Sequence, residues 1–155
     1  MDRTDKKILE ILQSNCQISN QDLADQVALS PSPCLRRVKL LEDNGYIKKQ
    51  VALLVPEKIG LNLTVIVTVG LTNHQPAVMS EFEETIRFIP EVIQCYLITG
   101  QSADYLLKVI VPDLNAYQSF LLNKLTCING VDSVHSSFIL RTICDTTALP
   151  LDHLL

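Results

Sequence analysis

The stretch from Ser19 to Asp43, SNQDLADQVALSPSPCLRRVKLLED, constrains the fold most: its apolar spacing and its punctuation predict two short helices joined by a tight turn. Ser19 is placed to cap the first helix, with Asp22 three residues on at capping-box spacing, and Leu23, Ala24 and Val27 make one apolar stripe. The chain turns through Ala28 and Leu29. Ser30 and Pro31 restart it, because serine caps and a proline at the first helical position gives up an amide that has no partner there. Pro33 gives up another, which leaves the amide of Ser32 as the expected partner of the Ser30 hydroxyl. Cys34, Val38 and Leu41 then fall at i, i+4 and i+7 and can pack on the first helix, while Ser32, Arg36, Lys39 and Asp43 share the opposite face.

No acid lies between Asp25 and Glu42, so the exposed start of this second helix is polar and basic. Helix-start amides followed by two arginines suit phosphates and base edges, the pattern of a DNA recognition helix. Ser30, Ser32, Arg36, Arg37 and Lys39 are the candidate DNA-contacting residues. The same residues also fit an ordinary helical hairpin with a solvated basic face.

The net charge of −4 argues against a DNA binder until the chain is divided. Residues 1–50 carry 8 Lys/Arg against 7 Asp/Glu, and residues 51–155 carry 5 against 10, so the basic groups concentrate where the two helices lie. Affinity must then come from local placement and from multivalency rather than from bulk charge. No apolar run is long enough to span a membrane, and acids are mixed through the amphipathic opening MDRTDKKILEIL, so a cytoplasmic protein with no membrane partner is expected. The five cysteines, Cys16, Cys34, Cys95, Cys127 and Cys144, include no C-x-x-C pair and no histidine at ligand spacing. They are read as reduced thiols, with Cys34 and Cys95 structural within apolar periodic segments, and no metal or cofactor is expected. No Ser/His/Asp, Cys/His, paired-carboxylate or phosphate-loop constellation is present, so no catalytic residue is assigned and an enzyme is not expected.

In chain order, residues 3–14 form a first helix with Ile8, Ile11 and Leu12 on one face. After Asn44-Gly45, residues 46–55 read as an extended basic wing or linker that ends at Pro56. The second half alternates: strand 63–71, helix 76–88 with Met79, Phe82 and Ile86 inward, strand 92–99, turn 100–103, and strand 105–111. A helix capped by Asp113 follows through Leu125, with Leu114, Tyr117, Phe120, Leu121 and Leu125 inward, and a last strand spans 131–143. The order β-α-β-β-α-β is the ferredoxin-like arrangement of one antiparallel sheet with two helices on one face. The fold class is therefore α+β: an N-terminal winged helix-turn-helix (1–50), a β-linker (51–62) and a ferredoxin-like domain (63–155). The uncovered sheet face would carry alternate residues of VIVTVGL and FILRTI, which is apolar enough to predict sheet-to-sheet dimerisation.

Five stretches, MDRTDKKIL, ISNQDLADQVALSPSPCLRRVKLLEDNGYI, ALLVPEKIGL, DYLLKVIVPDLNAYQSF and RTICDTTALPL, run nearly end to end in the order of a known family. The chain resembles the Lrp/AsnC group, the leucine-responsive and feast/famine transcription regulators of bacteria and archaea. That resemblance implies binding to double-stranded DNA and a homodimer formed through the sensing domain. It also implies assembly up to an octamer, and a small-molecule effector, typically an amino acid, held between dimers near the turn between the second and third strands. By match that turn holds the candidate effector residues Gly100, Gln101, Ser102, Asp104 and Tyr105, with Asp104 as the partner of an ammonium group. The same turn also reads as a plain hairpin loop whose Gly100 and Asp104 serve geometry. The chain departs from the family at two places. Ala28 stands where glycine is common, and GQSADY has one residue more than the family's G-x-x-D-Y and lacks a second acid. The competing reading is an amino-acid-binding allosteric module with weak or no DNA binding; Ser32, Arg36, Arg37 and Lys39 favour the regulator.

Overall fold

The computed structural model describes residues 1–100 and 102–154. It divides into two compact units, Met1–Leu53 with Ile143–Leu155, and Leu54–Thr142.

The first unit holds three helices, α1 (Arg3–Ser14), α2 (Asn20–Gln26) and α3 (Pro31–Asp43). Ile8 of α1, Leu23 and Ala24 of α2, Val27 after it, and Cys34 and Leu41 of α3 bury together, with Ile11, Leu12 and Val38 packed at the margin. The turn between α2 and α3 is a Schellman motif, in which the Leu29 amide donates to the Ala24 carbonyl and the Ala28 amide to that of Asp25. Ala28 sits there at φ 55°, a left-handed conformation that glycine adopts freely and alanine at a cost of about 1 kcal/mol. The same motif ends α3, where Gly45 takes the left-handed position at φ 75° without that cost.

Residues 48–55 form no strand. An extended segment needs a ladder partner, and Val51, Leu53, Leu54 and Val55 lie exposed instead of being paired. A 3-10 turn, Pro56–Ile59, follows. The tail also differs from expectation. Residues 143–155 return to the first unit, where the Gln13 side-chain amide donates to the Leu149 carbonyl and its oxygen accepts from the Leu149 amide, both at 2.9 Å.

The second unit has the expected order: β1 (Leu63–Leu71), α4 (Pro76–Arg87), β2 (Val92–Leu97), β3 (Tyr105–Val111), α5 (Leu114–Asn123) and β4 (Val131–Phe138). The strands make one antiparallel four-stranded sheet in the order β2-β3-β1-β4. Val65, Val67, Val69, Leu107 and Val109 meet Phe82 and Ile86 of α4 and Tyr117 and Phe120 of α5 in one core, so both helices lie on the same face. Three expectations are corrected. β4 ends at Phe138 rather than residue 143, and Leu140 and Ile143 stand exposed. Leu114, expected inward, is exposed at the first position of α5, before the helix closes on the sheet. The uncovered sheet face is less apolar than expected, because the valines of β1 point to the helices. Register places Thr64, Ile66 and Thr68 on the other face, beside Leu106, Lys108 and Ile110 of β3, Gln94 and Tyr96 of β2, and His135 of β4.

Candidate nucleic-acid interface and effector site

The interface is built by helix α3. Its buried residues Cys34 and Leu41 fix one face against the core of the first unit, which turns Ser32, Arg36 and Lys39 into solvent. Among the described residues these three side chains enter no ion pair. They stand as an open polar and basic stripe one to two turns long.

Arg37 is placed differently. Its Nη1 donates to Asp2 Oδ2 and to Asp5 Oδ1, each at 2.7 Å, and the side chain is half-buried. Asp2 is the N-cap of α1 and closes a reciprocal capping box with Asp5. The Asp5 amide first, and Arg37 second, hold the Asp2 carboxyl below the usual carboxylate range, while Asp5 and then Asp2 hold the Arg37 guanidinium charged. Arg37 thus ties α3 to the start of α1. The opening acids three residues apart were the sequence signal for that partner.

Ser30 takes extended N-cap backbone geometry, but its hydroxyl makes no capping bond, contrary to expectation. Pro31 and Pro33 carry no N–H, and the Cys34 amide donates to the Ser30 carbonyl. Of the first three helical positions only Ser32 carries an N–H, so the first turn of α3 offers one donor there rather than three.

The five effector candidates do not stay together. Gln101 lies outside the described residues. Gly100 has φ +89°, as a tight turn requires, and Ser102 is exposed beside it. Asp104 is stitched to the end of β1. Its Oδ2 accepts from the Leu71 amide at 2.7 Å, its amide donates to the Val69 carbonyl, and Oδ1 meets His74 Nε2 at 2.6 Å. The Leu71 amide first, and His74 after it, hold this carboxyl below its ordinary value. His74 was not singled out in the sequence, since only the fold brings the loop after β1 to this turn.

Tyr105, the next residue, points to the opposite side. Its ring packs on Phe82 with centroids 4.5 Å apart, and its hydroxyl donates to Glu83 Oε1 at 2.8 Å. Burial first, then that bond, push the phenol above its ordinary value, so it remains a neutral donor. The hydroxyl opens into a cleft of about 420 Å³ between α4 and β2, lined also by Glu83, Arg87, Cys95 and Leu97. Cys95 was expected to be structural in an apolar segment, but at the sheet edge the residue is exposed. Desolvation of its thiol in the cleft, and then the Glu83 charge, push it up to about 11, so it stands there as a neutral thiol.

Among the described residues no group of three or more His, Cys, Asp or Glu is arranged to hold a metal ion, and no helix is long and apolar enough to cross a membrane.

Residues 1–48 match the winged helix-turn-helix DNA-binding domain, and residues 64–149 match the Lrp/AsnC ligand binding domain. The Bkd operon transcriptional regulator of Pseudomonas aeruginosa is 43% identical over 151 residues, covering 97% of this chain and 98% of its own. The DNA-binding transcriptional activator DecR of Escherichia coli is 38% identical, covering 98% of this chain and 99% of its own. The crystal structure of a transcriptional regulator of Neisseria meningitidis in complex with L-Met superimposes with a TM-score of 0.96 at 44% identity, covering 100% of this chain and 99% of that one. With a helix-turn-helix that presents an open basic stripe, joined to a ligand-binding sheet domain, the chain belongs to the Lrp/AsnC family of DNA-binding transcriptional regulators.

Proposed function

We propose that Ser32, Arg36 and Lys39 make the DNA contacts, with Ser30 at the helix start, and that Arg37 positions the helix instead of reading bases. The observation that carries this is the contrast within α3: Arg36 and Lys39 are exposed and enter no ion pair among the described residues, whereas Arg37 is bound to two carboxylates of α1. A guanidinium held by two carboxylates already has its charge neutralised and its direction set toward α1, so it adds little to counterion release at phosphate.

The effector is an amino acid, a reading supported by the match to a ligand-binding domain and by the L-Met held in the similar Neisseria structure. Gly100, Ser102 and Asp104 are candidate contacts at the turn, since each Asp104 oxygen retains a lone pair beyond its present bond. The regulator acts in the cytoplasm as a homodimer or a larger assembly up to an octamer, and the effector biases that assembly.

Fluorescence anisotropy on selected genomic fragments, titrated with salt and with pooled amino acids, tests the reading. Arg36→Ala should reduce the slope of log affinity against log salt by about 1 and relax preference at one base pair. Arg37→Ala should weaken all sequences together, lower the melting temperature and leave the slope unchanged. If Arg37→Ala reduces the slope and Arg36→Ala does not, the assignment of roles is reversed. If neither wild type nor variants select any fragment, the chain is the allosteric module without DNA binding.

A further inference from the structure

Helix α3 carries a large apolar side chain that the core of the first unit does not use. Leu35 is 58% exposed, and it belongs neither to the buried cluster of that unit nor to the apolar residues packed at its margin. A single exposed leucine needs no explanation by itself. Its position does. Ser32, Leu35, Arg36 and Lys39 fall at i, i+3, i+4 and i+7, so Leu35 shares the exposed face of the first turns with the three polar residues. The helix step sets it roughly 200° round from Arg37, away from the side that meets Asp2 and Asp5. Leu40, the other exposed leucine of α3, stands a turn beyond Arg36 and lines a depression with Met1, Asp5 and Tyr46.

We propose that Leu35 is a specificity-determining residue that recognises the C5-methyl group of a thymine in the major groove. The polar members of the stripe cannot supply this contact. An arginine fork suits guanine, lysine suits guanine or phosphate, and a serine hydroxyl suits any base edge, whereas the thymine methyl forms no hydrogen bond and is met by an apolar surface. The N-terminal turns of a recognition helix lie against base edges, and Leu35 is the fifth residue of α3, between Ser32 and Lys39 along the helix. Attraction of Arg36 and Lys39 to phosphates and bases brings the leucine to the groove floor, where its contact takes both apolar groups out of water. A·T and T·A pairs are then told apart, because only one strand presents the methyl at that place. The proposal rests on the reading of α3 as the DNA-contacting helix and adds the base that its apolar member selects.

The test uses the full chain and the tightest-bound genomic duplex, with thymines replaced one at a time by 2′-deoxyuridine, which removes the methyl and keeps the pairing edge. For wild type, a thymine within each half-site should prove sensitive, its replacement weakening binding about fourfold, the effect of one buried methyl group. Leu35→Ala should bind the natural duplex about fourfold or more weakly and should no longer distinguish it from the deoxyuridine duplex. Its slope of log affinity against log salt should match wild type, because no phosphate contact is lost. Thermal melts verify that the variant folds. Leu35→Met, which keeps an apolar tip, should restore most of the discrimination, and Leu40→Ala should retain all of it. If wild type selects the duplex but no deoxyuridine weakens it, or if Leu35→Ala discriminates as wild type does, the proposal falls while the reading of α3 stands. Equal loss of discrimination in Leu40→Ala also overturns it, since the effect then does not belong to Leu35. If wild type prefers no fragment over any other, both fall.

Discussion

Two residues carry local costs that set testable behaviour. Ala28 occupies the left-handed position of a Schellman motif whose counterpart at the end of α3 is Gly45. Ala28→Gly relieves the steric cost of φ 55° and partly repays it through a more flexible unfolded chain, for a net gain of roughly half a kcal/mol. Denaturant melts would show this as a higher midpoint at unchanged slope, and a lower midpoint would mean that the alanine methyl contributes packing that exceeds its strain. Asp104 makes a pH-dependent contribution. The fold lowers its carboxyl below the ordinary value, chiefly through the Leu71 amide, so the ionised form stabilises the native state. That contribution is fully present above about pH 4 and is lost as pH falls through the lowered value. Wild type should therefore melt higher than Asp104→Asn at pH 6, and the gap should close on acidification toward pH 3. A gap that stays constant over that range would show that the charge itself contributes nothing.

At the level of elements, the C-terminal tail is the part whose attachment is easiest to isolate. Gln13 presents its amide to the Leu149 backbone as one rung of a strand would, with a donor and an acceptor both at 2.9 Å. Gln13→Ala removes both bonds without touching the buried Ile8, Leu23 and Leu41. Local opening of the tail should become easier by ~1 kcal/mol, and proteolytic cleavage within residues 143–155 on the order of fivefold faster. Equal cleavage rates would mean that the tail is held by its apolar residues and the Lys6–Asp152 ion pair rather than by Gln13. This attachment was not legible in the sequence, because a lone glutamine on a helix says nothing about which distant backbone it meets. The helices and strands themselves were legible: Leu23, Ala24 and Val27 follow helical spacing and are buried, and Val65, Val67 and Val69 follow strand alternation and are buried. What periodicity could not give is direction. It marks Tyr105 and Asp104 as neighbours in a turn, whereas the pleat sends one side chain to Glu83 and the other to His74. It marks Arg36 and Arg37 as a basic pair, whereas the 100° step between them gives one to solvent and the other to Asp2 and Asp5.

For the whole molecule the decisive question is how DNA-binding units with a nearly balanced charge achieve useful affinity. Residues 1–50 carry 8 Lys/Arg against 7 Asp/Glu, so a single unit brings little counterion release beyond its own recognition stripe. Pairing two units on one DNA multiplies the effective concentration of the second, and this requires a dimer. The second unit offers a surface for it: the sheet face opposite α4 and α5, where Ile66, Leu106, Ile110 and Tyr96 lie among Thr64, Thr68, Lys108 and His135. Leu106 is central there, flanked in register by Thr68 and Tyr96, and its side chain takes no part in the helix-side core. Leu106→Asp places a charge on that face while leaving the core intact, so the variant should fold and sediment as a smaller species at micromolar concentration. Its DNA affinity should fall far more than that of any single recognition-helix variant, because two half-sites are no longer read together. Footprints of wild type should show protections separated by about one DNA turn, ~34 Å, or a multiple of it, and those of the variant should lose that phasing. If Leu106→Asp sediments as wild type does and keeps the phased footprint, association runs through another surface, and the sheet face stays in solvent.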